Sequence, residues 1–143
     1  MSLRTDRVRI TGSFKRKEGV SKEAFDNFWL NEHPKLFNSL DIVKGKILKY
    51  EQVSSFPKWF RKTTLTHLLQ AHANEMVSKA MAESGLVIAP FDAMATFEAA
   101  SFEDLMAVFT SEEYRRVVGA ESVKYFERGG QMFAANFATI MDN

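Results

Sequence analysis

Three side chains carry groups that could do chemistry and stand where the chain could hold them still: His33, Tyr50 and Asp92. His33 lies in Phe25-Asp26-Asn27-Phe28-Trp29-Leu30-Asn31-Glu32-His33-Pro34-Lys35-Leu36-Phe37, immediately before a proline. Proline lacks an N–H and clashes with the preceding turn, so one helix is expected to end near Glu32, with Pro34 in the first turn of a second. His33 is then fixed at a junction beside Trp29 and Phe37. An imidazole titrating near its reference value of ~6.5, held among large apolar side chains, is a candidate general acid or base. The alternative is a histidine that only satisfies a helix end.

Tyr50 sits mid-strand on the face it shares with Leu48 and Gln52. Its hydroxyl could donate to a carbonyl or a developing enolate; the alternative is a core tyrosine with its hydroxyl at the rim. Asp92, directly after Phe91, either orients His33 or binds a phenol, or it caps the entrance of its strand. Gln52 and Asn136 are candidates to hydrogen-bond a ligand in an apolar cavity, although buried amides usually pair with backbone. His72 lies on the apolar stripe of its segment and could point into such a pocket beside His33. His67 and His72 test a metal reading and argue against it: five residues apart on a helix is about 140° of rotation, so they do not share a face. His72 and Glu75 do, but form a two-ligand fragment. No metal and no cofactor are expected, and no phosphate loop, dinucleotide fingerprint or nucleophile elbow occurs.

The elements that must position these groups can be read from periodicity. Arg7 to Phe14 alternates as a half-buried strand. Ser21 is a helix N-cap, followed by Ala24, Phe25, Phe28 and Trp29 on one face. A short helical piece ends near Leu40, residues 41 to 46 connect, and Ile47 to Val53 is a second strand. Leu65, Leu68, Leu69, His72, Met76 and Ala80 predict a helix from about residue 66 to 83. The basic, aromatic stretch Lys58 to Lys62 reads as a flap or interface loop. Phe91 to Ala99 is a third strand with Phe91, Ala93, Ala95, Phe97 and Ala99 on one face. Ser101 caps a helix with Asp104 at the third position. A further helical piece capped by Thr110 or Ser111 follows, and Gly129-Gly130 turns the chain into a last strand, Gln131 to Met141. Apolar residues on both faces of that strand predict a second subunit over the exposed side of the sheet. The order is β-α-β, an inserted helix, then β-α-β. That is an α+β, ferredoxin-like βαββαβ chain with a four-stranded antiparallel sheet and helices on one face.

The 143 residues fit one domain. The formal net charge of +1 gives no electrostatic case for nucleic acid or a membrane surface. No run approaches the roughly 18 apolar residues of a membrane span, and no apolar h-region follows the N-terminus. The absence of cysteine excludes disulfides, thiolate metal sites and a cysteine nucleophile, and suits a cytoplasmic setting. With 13 Phe, 2 Trp and 3 Tyr, the aromatic content suits both a core and a pocket for a planar ligand.

Several motifs resemble the EthD domain, a family of the dimeric α/β-barrel superfamily: the entry Arg16-Lys17-Glu18-Gly19-Val20-Ser21-Lys22-Glu23-Ala24-Phe25 and the signature Phe28-Trp29-x-x-x-His33-Pro34. Leu36-Phe37-x-Ser39-Leu40 and Ile47-Leu48-Lys49-Tyr50-Glu51-Gln52 are most similar to fungal members associated with aromatic polyketide biosynthesis. Phe91-Asp92, Ser101-Phe102-Glu103-Asp104-Leu105 and Tyr114 match the second half, so the resemblance covers roughly residues 7 to 56 and 90 to 140. Residues 58 to 89 are longer and more helical than the family's connector. The resemblance implies a homodimeric, cofactor-free dehydratase, decarboxylase or cyclase acting on an aromatic polyketide. In that reading His33 moves the proton, Tyr50 and Asp92 polarise or orient, and Trp29, Phe37, Gln52, His72 and Asn136 bind substrate. The rivals are a cofactor-independent oxygenase or isomerase of the same fold and a non-catalytic protein that binds a hydrophobic small molecule.

Overall fold

Alternation of apolar and polar residues makes β1 (Val8–Phe14), the strand on which the sheet is assembled. The elements that follow are α1 (Lys22–Asn27), a π-helical turn π1 (Phe28–Glu32), α2 (His33–Ser39), α3 (Asp41–Lys46) and β2 (Ile47–Ser54). After the intervening segment come β3 (Ala93–Ala99), α4 (Phe102–Phe109), α5 (Glu112–Tyr114), a second π turn π2 (Arg115–Gly119), α6 (Ala120–Ser122) and β4 (Gln131–Ala135). The computed structural model describes residues 2–54, 76, 79–80, 82–85 and 91–142.

The chain divides into two compact units, one of Met1–Val53 with Phe91–Asn143 and one of Ser54–Pro90. In the second, the described residues 76, 79–80 and 82–83 are helical, and Gly85 takes the left-handed φ of 77° after them. The rest of the helix expected over 66–83, and His67, His72 and Lys58 to Lys62, lie outside the described residues.

In the first unit the sheet order is β2-β3-β1-β4, with β1 antiparallel to both neighbours. Each βαβ half therefore skips one strand, and the two halves interleave into a ferredoxin-like α+β fold. The register pairs Val8, Ile10, Gly12 and Phe14 with Ala99, Phe97, Ala95 and Ala93, so these eight residues share one face. The helices lie on it, burying Phe25, Trp29, Phe37, Leu105, Val108 and Val118 completely. Three alanines in β3 leave room for rings as large as those of Trp29 and Phe37. Gly12 does the same for Phe14: a Cβ there would lie 2.8 Å from the Phe14 ring, which folds back and stacks on Phe126.

The opposite face is polar at its centre. Glu98 accepts hydrogen bonds from Arg9 Nη2 (2.7 Å) and Arg7 Nη1 (3.0 Å), and Thr11 meets Thr96. Arg9 also lies over the Phe137 ring at 3.7 Å.

Serine caps stand where the sequence puts them: Ser21 accepts from Ala24 N–H, Ser101 from Asp104 N–H and Ser111 from Tyr114 N–H. Three elements differ from expectation. The first helical stretch ends at Glu32 and Pro34 stands in the first turn of α2, as expected, but the last turn of that stretch widens into π1 and the backbone stays helical through the junction. Residues 41 to 46 form α3 instead of a connector, because the Glu113 carboxylate accepts the N–H groups of Asp41 (3.0 Å) and Ile42 (3.4 Å) and caps the helix from far along the chain. The last strand stops at Ala135, not near Met141. Its pairing with β1 ends at Arg9, one residue from the start of that strand, and Phe137 O instead accepts the Arg4 N–H.

Candidate active site

The site begins with a missing hydrogen-bond donor. In an α-helix the Trp29 carbonyl would accept from the His33 N–H. Here the His33 N–H reaches back five residues to Phe28 O, the π pattern, and the following residue is Pro34, which has no N–H. Neither the α nor the π pattern then gives Trp29 O a main-chain donor, and a buried carbonyl left short of donors costs free energy unless one is supplied. Gln52 of β2 supplies it, with Nε2 donating to Trp29 O at 2.7 Å. The Trp29 indole Nε1 in turn donates to Val53 O at 3.4 Å. The π turn is therefore pinned to β2 through one residue's backbone and side chain.

Gln52 Nε2 also donates to Tyr50 Oη at 2.7 Å, and Tyr50 Oη lies 2.8 Å from His33 Nδ1. The result is a continuous chain from the π turn through Gln52 and Tyr50 to His33. Period-two alternation puts Tyr50 and Gln52 on the same face of β2. Among the described residues no hydrogen-bond partner meets His33 Nε2.

Rings enclose the imidazole. Its centroid lies 4.9 Å from Trp29, 5.9 Å from Phe28, 6.2 Å from Phe126 and 6.3 Å from Phe37, parallel to the last within 9°. Tyr50 stacks on Phe97 at 4.7 Å and packs on Phe37 at 4.9 Å. His33 is only 4% exposed, and burial lowers its pKa from the ordinary value to about 4, so the ring is neutral at pH 7. Burial raises the Tyr50 pKa; the Gln52 hydrogen bond opposes this in part. Tyr114, near Phe37 and Phe109, is also raised by burial. At neutral pH the arrangement is uncharged and can donate or accept hydrogen bonds without an ion to desolvate.

Of the residues singled out in the sequence, His33, Tyr50, Gln52, Trp29 and Phe37 meet in this cluster. Asp92 is elsewhere: its Oδ2 accepts the Arg16 N–H at 2.8 Å and its own N–H donates to Phe14 O, so it fastens the entrance of β3 to the end of β1. Asn136 is exposed beyond the end of β4. His72 is outside the described residues. A shallow cleft of ≈ 370 Å³ beside the start of β2, lined by Asn38, Val43, Lys44 and others, reaches Tyr50 but does not include His33.

Two contributors escape the sequence reading. Phe126 touches Phe14, Phe25, Trp29 and His33, held there by an isolated bridge to Arg16. Neither periodicity nor spacing marks it. The Trp29 carbonyl is the other, and its signal was present: a proline five residues on removes the donor it would use in a π turn. Among the described residues no group of three or more His, Asp or Glu side chains stands together as a metal site would require.

Fold and site together define a ferredoxin-like α+β protein with a buried, neutral histidine–tyrosine pair between helices and sheet. The model of the EthD domain matches residues 17–129, and the chain belongs to the EthD domain family. No curated protein matches it. Among solved structures it is similar to a dimeric ferredoxin-like protein of unknown function from Bacteroides fragilis NCTC 9343 (13% identity, TM-score 0.58, 95% of this chain and 100% of that one). It is also similar to an EthD-like protein from Ralstonia eutropha JMP134 (10%, 0.56, 95% and 96%) and to a hydroxynitrile lyase from Passiflora edulis (8%, 0.54, 97% and 100%). At these identities the likeness is one of fold.

Proposed function

We propose that the protein is a cofactor-free lyase or cyclase acting on an enolisable aromatic polyketide, with His33 and Tyr50 as the groups that act on it. The observation that carries this reading is the hydrogen-bonded chain Trp29 O–Gln52–Tyr50–His33, which leaves one imidazole nitrogen uncommitted among the described residues. Loss of water from a β-hydroxyketone, loss of carbon dioxide from a β-keto acid and aldol closure share one demand. A carbonyl beside the reacting carbon must be held as its enol or enolate. A neutral imidazole in a dry aromatic surround meets that demand, because a hydrogen bond there is not weakened by water. Trp29 and Phe37, themselves fully buried, pack against the imidazole and keep its surround dry, and Asp92 acts at a distance by tying β3 to β1. The polyketide class rests on the resemblance that the His33 and Tyr50 segments bear to fungal members of the family. The lyase class is supported by the fold shared with the Passiflora edulis enzyme.

The proposal includes a homodimer of single-domain chains. Supporting it are the dimeric protein of similar fold and the exposed apolar side chains of the edge strand β4, Met132 at 50% and Phe133 at 72%.

The test is turnover of an aromatic polyketide panel followed by mass spectrometry, with dissolved oxygen recorded. His33→Ala is expected to lower the rate by roughly 10²-fold or more while the protein stays folded. Full activity in that variant would sink the assignment. Oxygen consumption coupled to turnover would replace the lyase by an oxygenase, and tight binding without product by a binding protein.

A further inference from the structure

A primary amide carries two donors on nitrogen and accepts only at oxygen. Gln52 Nε2 lies 2.7 Å from Trp29 O and 2.7 Å from Tyr50 Oη. A carbonyl oxygen only accepts, so the first contact fixes which way the amide faces; the flipped amide would set two acceptors against each other. At the second contact the nitrogen must donate, and Tyr50 Oη must accept. The phenol then has one hydrogen to place. Among the described residues the acceptor within reach is His33 Nδ1, at 2.8 Å. An Nδ1 that accepts carries no proton, and a neutral imidazole without a proton there holds it on Nε2.

We propose that Gln52 is a positioning residue that sets the tautomer of His33: both its donors are spent on Trp29 O and Tyr50 Oη, which turns the Tyr50 hydroxyl toward Nδ1 and leaves His33 with an N–H at Nε2. His33 then meets a ligand as a neutral hydrogen-bond donor, suited to a carbonyl or enolate oxygen. A basic lone pair at Nε2 arises only if the Tyr50 hydroxyl turns away. The fixed point of the device is the Trp29 carbonyl, freed by the π turn and Pro34. For its bearing on turnover the inference rests on the proposed lyase reading, but the tautomer belongs to the protein without substrate.

The experiment is two-bond ¹H–¹⁵N NMR at pH 7 on protein carrying ¹⁵N-histidine, with His33→Gln used to assign His33 against His67 and His72. Wild-type His33 is expected as one neutral tautomer with its proton on Nε2. In Gln52→Leu the tautomer ratio is expected to fall by roughly fivefold or more, the bias carried by one ordinary hydrogen bond. In Gln52→Glu an acceptor replaces the donor, draws the Tyr50 hydroxyl to itself and inverts the ratio toward Nδ1–H. Tyr50→Phe, which removes the donor to Nδ1 and keeps the ring, is expected to lose the bias as well and serves if neither Gln52 variant folds. A wild-type proton on Nδ1, or an unchanged ratio in the variants, overturns the inference. Failure to turn over any polyketide would refute the proposed function and leave the spectrum as expected, so the two fail separately.

Discussion

Charging His33 is the perturbation this core tolerates least. The ring is 4% exposed, packed between Phe28, Trp29 and Phe37, and burial lowers its pKa from 6.5 to about 4. The folded protein therefore takes up this proton less readily than the unfolded chain. Between about pH 6.5 and 4 the unfolded state holds more protons, so stability rises with pH across that window. The contribution is complete above 6.5, is lost as pH falls toward 4, and changes no further below. The gap from 6.5 to about 4, at about 1.4 kcal/mol for each pH unit, amounts to about 3 kcal/mol. A domain of this size has roughly 5–15 kcal/mol in total, so the loss is a large share. The assay is urea unfolding of the wild type and His33→Gln at several pH values from 7 to 4. Carboxylates titrate in both proteins and cancel in the difference. The expected difference is a wild-type curve that falls more steeply, by at most one proton's worth of slope, so that wild type loses about 3 kcal/mol relative to the variant between pH 7 and 4. Parallel curves would refute the reasoning, as would a His33 NMR titration centred near 6.5.

Two further outcomes follow from the packing. Ser101→Ala removes the side chain that accepts the Asp104 N–H at the start of α4, and is expected to lower stability by about 1 kcal/mol, read from urea midpoints. Glu98→Ala leaves Arg7 and Arg9 facing each other across a 3% exposed position; because the two arginines are 28% and 36% exposed they can rehydrate, which holds the expected loss to about 1–3 kcal/mol in thermal or urea unfolding.

Much of the frame was legible because it is periodic. The alternation in Val8–Phe14 and Ala93–Ala99, the serine caps and the βαββαβ order rest on local rules, and the four strands assemble in the order that two interleaved βαβ halves require. Boundaries that depend on a partner were less legible. The end of β4 is set by where β1 begins, and α3 by a carboxylate 72 residues from Asp41. Asp92 shows the same division. Its place at a strand entrance could be read locally, but which of two roles its carboxylate takes depended on where Arg16 N–H came to lie.

The candidate site divides along the same line. By itself the sequence determined that Pro34 withholds an N–H next to His33, and that Tyr50 and Gln52 project from one face of one strand. These are covalent and period-two facts, independent of any fold. Only the tertiary structure decided that the resulting orphan, Trp29 O, would be met by Gln52, and that Tyr50 would meet Nδ1 of His33. It also decided that the imidazole would be neutral, since its pKa is set by the rings of Phe28, Trp29, Phe37 and Phe126 that close around it. Hydrogen-bond partners 17 and 23 residues apart, and the desolvation of a single ring, are properties of packing. A linear pattern can say which groups will need partners, but not which ones arrive.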